Sequence, residues 1–287
     1  MTDIAFVKGH GTENDFVLVP DLDDARALSP EQVSWLADRH AGIGGDGVIR
    51  VARTETATED FVRQQSGEAR FFMDYRNADG SAAEMCGNGV RVLAQYLRTH
   101  GLETAESFSV ATRGGVKHVR VVEDGFAVDM GAWRFTHFDK AREFGHDTLV
   151  HVDGHEPFAA ISLDLGNPHT VVALPPEVDL DALDLTRAPE LNPVAPQGSN
   201  VEFVQILGNG HIRMRVHERG VGETRSCGTG ACAAALATSY WATSQVEEHE
   251  SWSVDVPGGT LRVTALPGQH VELAGPAVLV AEGTVRL

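Results

Sequence analysis

Short apolar runs with the spacing of β-strands recur along the whole chain, and few helical patterns separate them. In the first half they predict strands at 4–7, 16–19, 48–51, 70–74, 107–112, 116–122 and 127–130. In the second half the same kind of run predicts strands at 159–163, 170–174, 201–206, 212–216, 254–256, 261–265 and 278–280. Apolar, β-branched runs of this length, bounded by turn residues, are typical of strands.

One helix start and one connecting segment stand out between the predicted strands. Ser29 is followed by Pro30 and, three residues after the Ser, by Gln32. This combination of cap, N1 proline and capping box predicts a helix from here to about His40, stopped by Gly42. The stretch 175–196 is rich in Pro and acidic residues and predicts a surface connection, with a short helix within 179–185.

A repeated motif is the most informative feature of the sequence. Cys86 opens the run C-G-N-G and Cys227 opens the run C-G-T-G, and each precedes a helical pattern. The first helix should extend past Leu97 and end at Gly101, whereas the second is rich in Ala and should run to about Trp241. We therefore expect two homologous halves, derived by gene duplication, with a site on a pseudo-two-fold axis. Unrelated topologies in the two halves would contradict this hypothesis.

Composition narrows the class of protein. The chain has 287 residues, 42% of them hydrophobic, which predicts two domains of a globular protein. A formal net charge of −18 argues against partners such as nucleic acid or anionic lipid. No apolar stretch is long enough for a membrane helix and the N-terminus does not look like a signal peptide, so we expect a cytoplasmic protein. Three cysteines, without CxxC spacing, indicate neither a disulfide framework nor a zinc site.

The C-G-x-G motif before a helix suits proton-transfer chemistry. A helix N-terminus presents unpaired N–H groups and partial positive charge, which should lower the pKa of an adjacent thiol and hold a carboxylate. Two such sites could invert a carbon next to a carboxylate. One cysteine, as thiolate, would remove the α-proton, and the other, as thiol, would protonate the opposite face. This reaction requires no cofactor and no metal. Cys232 lies inside the second helix and is expected only to pack.

A second glycine-rich run, 42–47, is a candidate phosphate loop. It lacks the lysine of GxxxxGK[ST] and the register of GxGxxG after a strand. A turn near the site, or the end of the first helix, is the favoured interpretation.

With these motifs in place, the chain resembles the diaminopimelate epimerases, and actinobacterial members in particular. The resemblance spans nearly the whole chain. It rests on the runs 11–16 (GTENDF), 77–81 (NADGS), 85–91 (MCGNGVR), 166–169 (GNPH), 198–201 (GSNV), 218–220 (ERG) and 226–230 (SCGTG). Several motifs in one order are far more specific than any one of them.

The resemblance implies a reaction and an architecture. The reaction is the interconversion of LL- and meso-2,6-diaminopimelate, without pyridoxal phosphate, in lysine and peptidoglycan-precursor synthesis. The implied fold class is α/β of the α+β type, with two pseudo-symmetric domains, each a curled, barrel-like, mostly antiparallel sheet around a central helix. The first domain would comprise 1–130 and a C-terminal strand at about 275–287, and the second 131–274. A homodimer is usual in such a family.

The resemblance also assigns roles to individual residues. Cys86 and Cys227 would be the acid–base pair, and His169 and Glu218 would modulate their pKa values. The substrate would be bound by backbone N–H groups and polar side chains of Asn14, Asn77, Gly87, Asn88, Asn167, Asn200, Glu218, Arg219, Gly228 and Thr229. These types suit a di-zwitterion, because Arg219 can take a distal carboxylate bidentately and amides can read ammonium and carboxylate together.

The sequence departs from the family pattern at three positions, and other functions compete with the one that the resemblance implies. Glu13 stands where many members have Gly, and Gly47 where many have a substrate-contacting Gln; Arg76 replaces a frequent aromatic or aliphatic residue. Alternatives within enzymes are a proline racemase-like or hydroxyproline epimerase-like protein and a phenazine-biosynthesis-type isomerase, although the latter lack the paired cysteines. A non-catalytic binding protein for a dibasic amino acid is the alternative outside enzymes.

Overall fold

The chain forms two structural units, each with its own set of strands and its own central helix. The computed structural model describes residues 3–24, 26–243, 245–246 and 250–287. Unit 1 comprises Met1–Asp129 and Ala274–Leu287, and unit 2 comprises Met130–Leu273. The last segment of the chain therefore returns to the unit in which the chain began.

Unit 1 is built on strands β1 to β7 and on the returning strand β19. The strands are β1 Asp3–Gly11, β2 Asn14–Pro20, β3 Gly47–Arg53, β4 Phe71–Asn77, β5 Ser107–Thr112, β6 Gly115–Val122, β7 Gly125–Ala132 and, at the far end of the chain, β19 Val278–Arg286. The helices are α1 Pro30–Ala37, α2 Asp60–Arg63 and α3 Gly87–Thr99. Two 3-10 turns, Thr54–Thr56 and Gln64–Gly67, flank α2.

Unit 2 contains the remaining strands and two helices. The strands are β8 Arg134–Phe135, β9 Thr148–His151, β10 Phe158–Asp164, β11 Pro168–Ala173, β12 Glu190–Asn192, β13 Asn200–Gly208, β14 His211–Glu218, β15 Gly222–Thr224, β16 Ser251–Val256, β17 Gly259–Leu266 and β18 His270–Gly275. The helices are α4 Phe138–Phe144 and α5 Gly228–Thr243, with a 3-10 turn at Leu180–Ala182.

The same sequence of strand pairings occurs in both units. From β1 to β6 the successive pairs are antiparallel, parallel, antiparallel, parallel and antiparallel. The succession β10, β11, β13, β14, β16 and β17 has the same five orientations. In each unit the long helix connects the fourth strand of this succession to the fifth. The topologies are thus related, as the duplication hypothesis requires.

Each sheet curls around its central helix. Helix α3 packs against β1, β2, β3, β4 and β19 of its unit, and α5 packs against β10, β11, β13, β14, β16 and β17. One helix can touch so many strands only if the sheet wraps around it. Along most of its length α5 is buried, and its alanines at 231, 233, 234, 235 and 237 let the strands approach closely. The fold is mixed α/β and mostly strand, as expected.

The first helix ends earlier than its sequence predicts. The capping box at Ser29 is present, with Gln32 N–H donating to Ser29 Oγ. However, α1 stops at Ala37, because the Asp38 carboxylate accepts from the N–H groups of His40 and Ala41 at 2.7 Å each. Such a local side-chain turn competes with helical hydrogen bonds.

The connection 175–196 is not simply a surface segment. Leu180, Leu183 and Leu185 are buried and pack in a core cluster with Val172 and Phe203. The predicted short helix is the 3-10 turn at Leu180–Ala182, and β12 also lies in this segment. Pro and acidic residues masked this apolar spacing. Sequence patterns also missed α2, α4 and several short strands, because four to seven residues are too few to establish a period.

A buried charge network connects the strands at the centre of unit 1. Arg50 on β3 forms ion pairs with Asp21, Asp24 and Asp74, and its Nε lies 2.9 Å from Asp74 Oδ2. Arg113 donates to the other Asp74 oxygen at 2.6 Å. Burial alone would raise the pKa of Asp74, but Arg113 and Arg50 outweigh it and hold the pKa below its usual value.

Candidate active site

Cys86 occupies the position before the first residue of α3. Its backbone is extended, with φ −142° and ψ 120°, and the helix begins at Gly87. Cys86 Sγ lies 3.6 Å from Asn14 Oδ1, and Asn88 Nδ2 donates to the same oxygen at 3.0 Å. The thiol is half-buried. Asn14 and Asn88, both predicted to bind substrate, therefore adjoin the cysteine.

The glycine-rich run 42–47 holds Asn14 in place. Asn14 Nδ2 donates to Asp46 Oδ2 at 2.6 Å, and Arg39 bridges Asp46 and Asp15. Lys8 donates to Asp15 and to the carbonyl oxygen of Gly44. Although burial opposes it, hydrogen bonds from Arg39 and Lys8 lower the pKa of Asp15 from 3.8 to about 2. This run is thus a structural support beside Cys86.

The other predicted residues of unit 1 lie on β4 and α3. Asn77 ends β4, is half-buried and donates from Nδ2 to Ser81 Oγ at 3.0 Å. Asn88 is fully buried, and its Oδ1 accepts from Arg91 Nη2 at 2.9 Å. Sequence analysis did not single out Arg91, although an Arg on the buried side of a helix is a signal that it positions a neighbour.

Cys227 occupies the equivalent position before α5 in unit 2. The N–H of Gly230 donates to Cys227 Sγ at 3.3 Å, and Thr229 Oγ1 lies 3.6 Å from the sulfur. Asn167 Nδ2 donates to Thr229 Oγ1 at 3.3 Å. Asn14 lies at the β1–β2 connection and Asn167 at the β10–β11 connection, so the Asn167–Thr229 pair beside Cys227 corresponds to the Asn14–Asn88 pair beside Cys86.

His169 contacts Asn167 and is held by Glu202, a residue that sequence analysis missed. Its Nε2 lies 3.0 Å from Asn167 Oδ1, and its Nδ1 lies 2.7 Å from Glu202 Oε1. Both side chains of this pair are fully buried. The available signal was an acidic residue in an otherwise apolar strand, Val201-Glu202-Phe203-Val204.

Asn200, Glu218 and Arg219 form the second part of the site in unit 2. Asn200 Oδ1 accepts from the Arg219 N–H at 2.9 Å, and Asn200 Nδ2 donates to the Pro168 carbonyl at 3.1 Å. Glu218 accepts from the hydroxyl of Thr224. The Arg219 guanidinium is exposed and donates to the carbonyl of Gln197 at 2.9 Å.

The protonation of Cys227 differs from the sequence-based expectation. Burial raises its pKa well above the ordinary value, and the carboxylates of Glu218 and Glu202 raise it further. The hydrogen bonds from Thr229 and Gly230 lower the pKa, but by less. The prediction that a helix N-terminus would give Cys227 a low pKa is therefore wrong for this state of the protein, because desolvation and like charge outweigh the helix end.

This leads to a prediction for thiol reactivity. Only thiolate reacts readily with iodoacetamide, so Cys227 should be alkylated slowly at pH 7 to 8 and rapidly only well above pH 9. Peptide mapping by mass spectrometry after timed alkylation would follow Cys227 alone. Half-maximal rate at or below pH 7.5 would contradict the raised pKa.

Strand registers show which residues are equivalent in the two units. Phe16 on β2 lies opposite Gly47 on β3, and His169 on β11 lies opposite Asn200 on β13. Two residues further along β3 and β13 are Ile49 and Glu202, which are therefore counterparts. A Cβ on Gly89 would meet Ile49 Cδ1 at 3.1 Å, and a Cβ on Gly230 would meet Glu202 Oε1 at 2.8 Å. The second glycine of each C-G-x-G motif is therefore needed where the helix rests on this strand. Gly47 is the counterpart of Asn200.

The described residues contain no group of three or more His, Cys, Asp and Glu side chains that could hold a metal ion. Within the same ranges, none of the three cysteines is part of a disulfide. None of the helices described is long and apolar enough to cross a membrane.

Comparisons with known proteins identify the family. The diaminopimelate epimerase family model matches residues 6–136 and 161–280. The diaminopimelate epimerase of Streptomyces coelicolor is 49% identical over 98% of this chain and 95% of its own. That of Thermobifida fusca is also 49% identical, over 98% of each.

Solved structures with lower identity share the fold. A phenazine biosynthesis protein of the PhzF family from Bacillus anthracis superposes with a TM-score of 0.71 at 17% identity, over 100% of both chains. A hydroxyproline epimerase from Agrobacterium vitis gives 0.65 at 15%, over 99% of this chain and 91% of that one. Such identities show a common architecture only, whereas the family match extends to the sequence of both halves. The chain therefore belongs to the diaminopimelate epimerase family.

Proposed function

We propose that this protein epimerises LL-2,6-diaminopimelate to the meso isomer with Cys86 and Cys227 as its two acid–base groups. The observation that carries the proposal is the repeated arrangement of a cysteine, a central helix and an asparagine in the two units of a member of this family. In each, the cysteine precedes the first turn of the helix and lies beside an Asn–Asn or Asn–Thr pair.

The chemistry follows from two thiols and two helix ends. One cysteine, as thiolate, takes the α-proton, so that the Cα–H bond breaks and an S–H bond forms. The other, as thiol, gives its proton to the opposite face of the same carbon, and the reverse reaction exchanges the roles. Because the first-turn N–H groups of a helix have no intrahelical acceptor, those of Gly87, Asn88, Gly228 and Thr229 would stabilise charge growing on the carboxylate.

The remaining polar residues would select the substrate. Asn14, Asn77, Asn167 and Asn200 offer amides, and Glu218 with Arg219 offers one charge of each sign. A substrate with a second amino-acid end can satisfy this set, whereas a small cyclic one leaves the distal groups unpaired, which is costly. This disfavours proline and hydroxyproline. His169 and Glu218 would adjust the proton affinity of the cysteines.

The deciding experiment is incubation with LL-diaminopimelate in D₂O under reducing conditions. We expect conversion to the meso isomer with one deuterium at the inverted α-carbon, followed by NMR and chiral chromatography. trans-4-Hydroxy-L-proline serves as the matched competitor and should remain unchanged. Binding of diaminopimelate without deuterium uptake would identify a binding protein instead. Turnover of hydroxyproline would identify the protein as a hydroxyproline epimerase.

Three further properties belong to the same proposal. The reaction would serve lysine and peptidoglycan-precursor synthesis, the protein would act in the cytoplasm, and it would form a homodimer. The strongly acidic charge of −18 supports the absence of nucleic-acid partners. Light scattering coupled to size-exclusion chromatography would test the dimer, for which a mass near twice 30.8 kDa is expected.

A further inference from the structure

We propose that Glu202 is a positioning residue of the epimerase: it fixes the His169 ring and, with it, keeps Cys227 as a proton-bearing donor. The inference rests on the proposed function for its kinetic part. It concerns a residue that the sequence motifs of the family resemblance did not assign, on the strand beneath the start of α5.

The contacts form a continuous path from Glu202 to the Cys227 sulfur. A carboxylate can only accept, so His169 Nδ1 must carry the hydrogen in its 2.7 Å contact with Glu202 Oε1. His169 Nε2 lies 3.0 Å from Asn167 Oδ1, and because an amide oxygen only accepts, this contact is a hydrogen bond when Nε2 carries a hydrogen as well. Asn167 Nδ2 in turn donates to Thr229 Oγ1 at 3.3 Å. Thr229 reaches Cys227 at 3.6 Å and can donate to a thiolate or accept from a thiol. A hydroxyl suits a sulfur that changes protonation in every turnover.

Glu202 also touches the helix start directly. Its Oε1 occupies the space where any side chain at position 230 would begin, and the N–H of Gly230 donates to Cys227 Sγ. Only Gly230 therefore separates the Glu202 carboxylate from the Cys227 sulfur along this line of contacts. Glu218 on β14 also acts on Cys227, and the carboxylates of Glu202 and Glu218 both raise the pKa of the thiol. His169 on β11 reaches the sulfur only through Asn167 and Thr229.

The fold itself does not require this polar pair. The equivalent positions of unit 1 hold Phe16 and Ile49, which are fully buried and occupy the same places in the same topology. In both units the chain runs eleven residues from the strand partner of this position, Tyr75 or Val216, to the cysteine. The apolar pair Phe16 and Ile49 thus lies beneath the start of α3, and an ionisable pair lies at the same positions beneath the start of α5.

Burial makes Glu202 costly as a purely structural residue. Its side chain is fully buried, and Oε2 has no hydrogen-bond partner in the part of the chain that the structure describes. A buried, partly unsatisfied carboxylate reduces stability relative to an apolar residue of similar volume. A residue that weakens the fold while standing at the catalytic sulfur is best explained by an effect on that sulfur.

The test compares Glu202→Gln and Glu202→Ile with a matched control, Asp147→Asn. Asp147 is a buried carboxylate of the same unit, bonded to Ser162 and absent from the path to Cys227. We would measure kcat and KM for LL-diaminopimelate, the alkylation rate of Cys227 at pH 8 and the thermal unfolding midpoint of each variant.

For Glu202→Gln we expect kcat to fall at least about tenfold with KM within about threefold, because positioning acts on the chemical step. Removing the carboxylate charge should also make Cys227 alkylation at least about threefold faster, since its pKa falls. Glu202→Ile should lose a similar part of kcat without a lower unfolding midpoint. The control should match the parent in kcat and in alkylation.

The outcomes separate this proposal from the proposed function. An active parent whose Glu202→Gln variant retains both kcat and alkylation rate overturns the positioning role alone. So does a Glu202→Ile variant that unfolds earlier and keeps its kcat, because Glu202 would then be structural. If the parent does not epimerise diaminopimelate, the proposed function fails, and the alkylation rate still decides whether Glu202 acts on Cys227.

Discussion

Replacing Cys86 or Cys227 with Ser should lower kcat for diaminopimelate by at least about a thousandfold, because positioned acid–base groups contribute about 10²–10⁴ each and a hydroxyl does not ionise here. In the proposed two-base reaction each cysteine is required in both directions, once as base and once as acid. The two single variants should therefore be equally inactive from either isomer. Chiral chromatography of both directions checks this.

Cys232→Ala is the matched control for these variants. Cys232 is fully buried within α5, five residues from Cys227, so its removal tests thiol loss in the same helix. Its kcat should stay within about twofold of the parent, because core truncation acts on stability before it acts on chemistry. A Cys86→Ser or Cys227→Ser variant that keeps a tenth of the activity would contradict the two-cysteine mechanism.

Replacing Asp74 with Ala should destabilise unit 1 by about 3–5 kcal/mol, because it leaves two buried guanidinium groups without their shared counter-ion. Arg50 and Arg113 both pair with Asp74, which is 1% exposed. Urea unfolding, followed by tryptophan fluorescence, would measure the loss. The matched control is Asp153→Ala, which removes an exposed ion pair to Arg187 and should have no measurable effect.

The pH dependence of the same network has a definite sign. The pKa of Asp74 lies below its usual value in the folded protein, so its contribution is complete above the unfolded pKa, at roughly 4. It is lost as the pH falls from there through the folded pKa. The free energies of unfolding of Asp74→Ala and the parent should therefore approach each other as the pH falls below about 4. A constant difference in this free energy down to pH 2.5 would show that the charge is not the cause.

Local signals in the sequence predicted much of the fold. The alternation of apolar residues located the long strands, the capping box located the start of α1, and the C-G-x-G motifs located α3 and α5. Each of these signals lies within about a dozen residues of chain, where periodicity and capping operate. The leucines at 180, 183 and 185 escaped notice because acidic residues between them disguised a buried segment.

The candidate site was less accessible to sequence reasoning, because it depends on contacts between distant strands. Glu202 meets His169 only because β11 and β13 are parallel neighbours in one register, which no local pattern specifies. The same holds for Asp46 beside Asn14. For Cys227, the sequence revealed the helix end but neither the depth of burial nor the carboxylates, and these decide its pKa.

The pairing of β19 with β1 has a consequence for the order in which the protein folds during synthesis. Asp3 lies opposite Arg286, so one edge of β1 stays unpaired until β19, which follows all of unit 2 in the chain, has been synthesised. Unit 2, at 130–273, lies between these two strands in the chain. The second unit can therefore mature first, while the unit that was begun earliest is the last to be finished. Until then the edge of β1 is open to pairing with other chains.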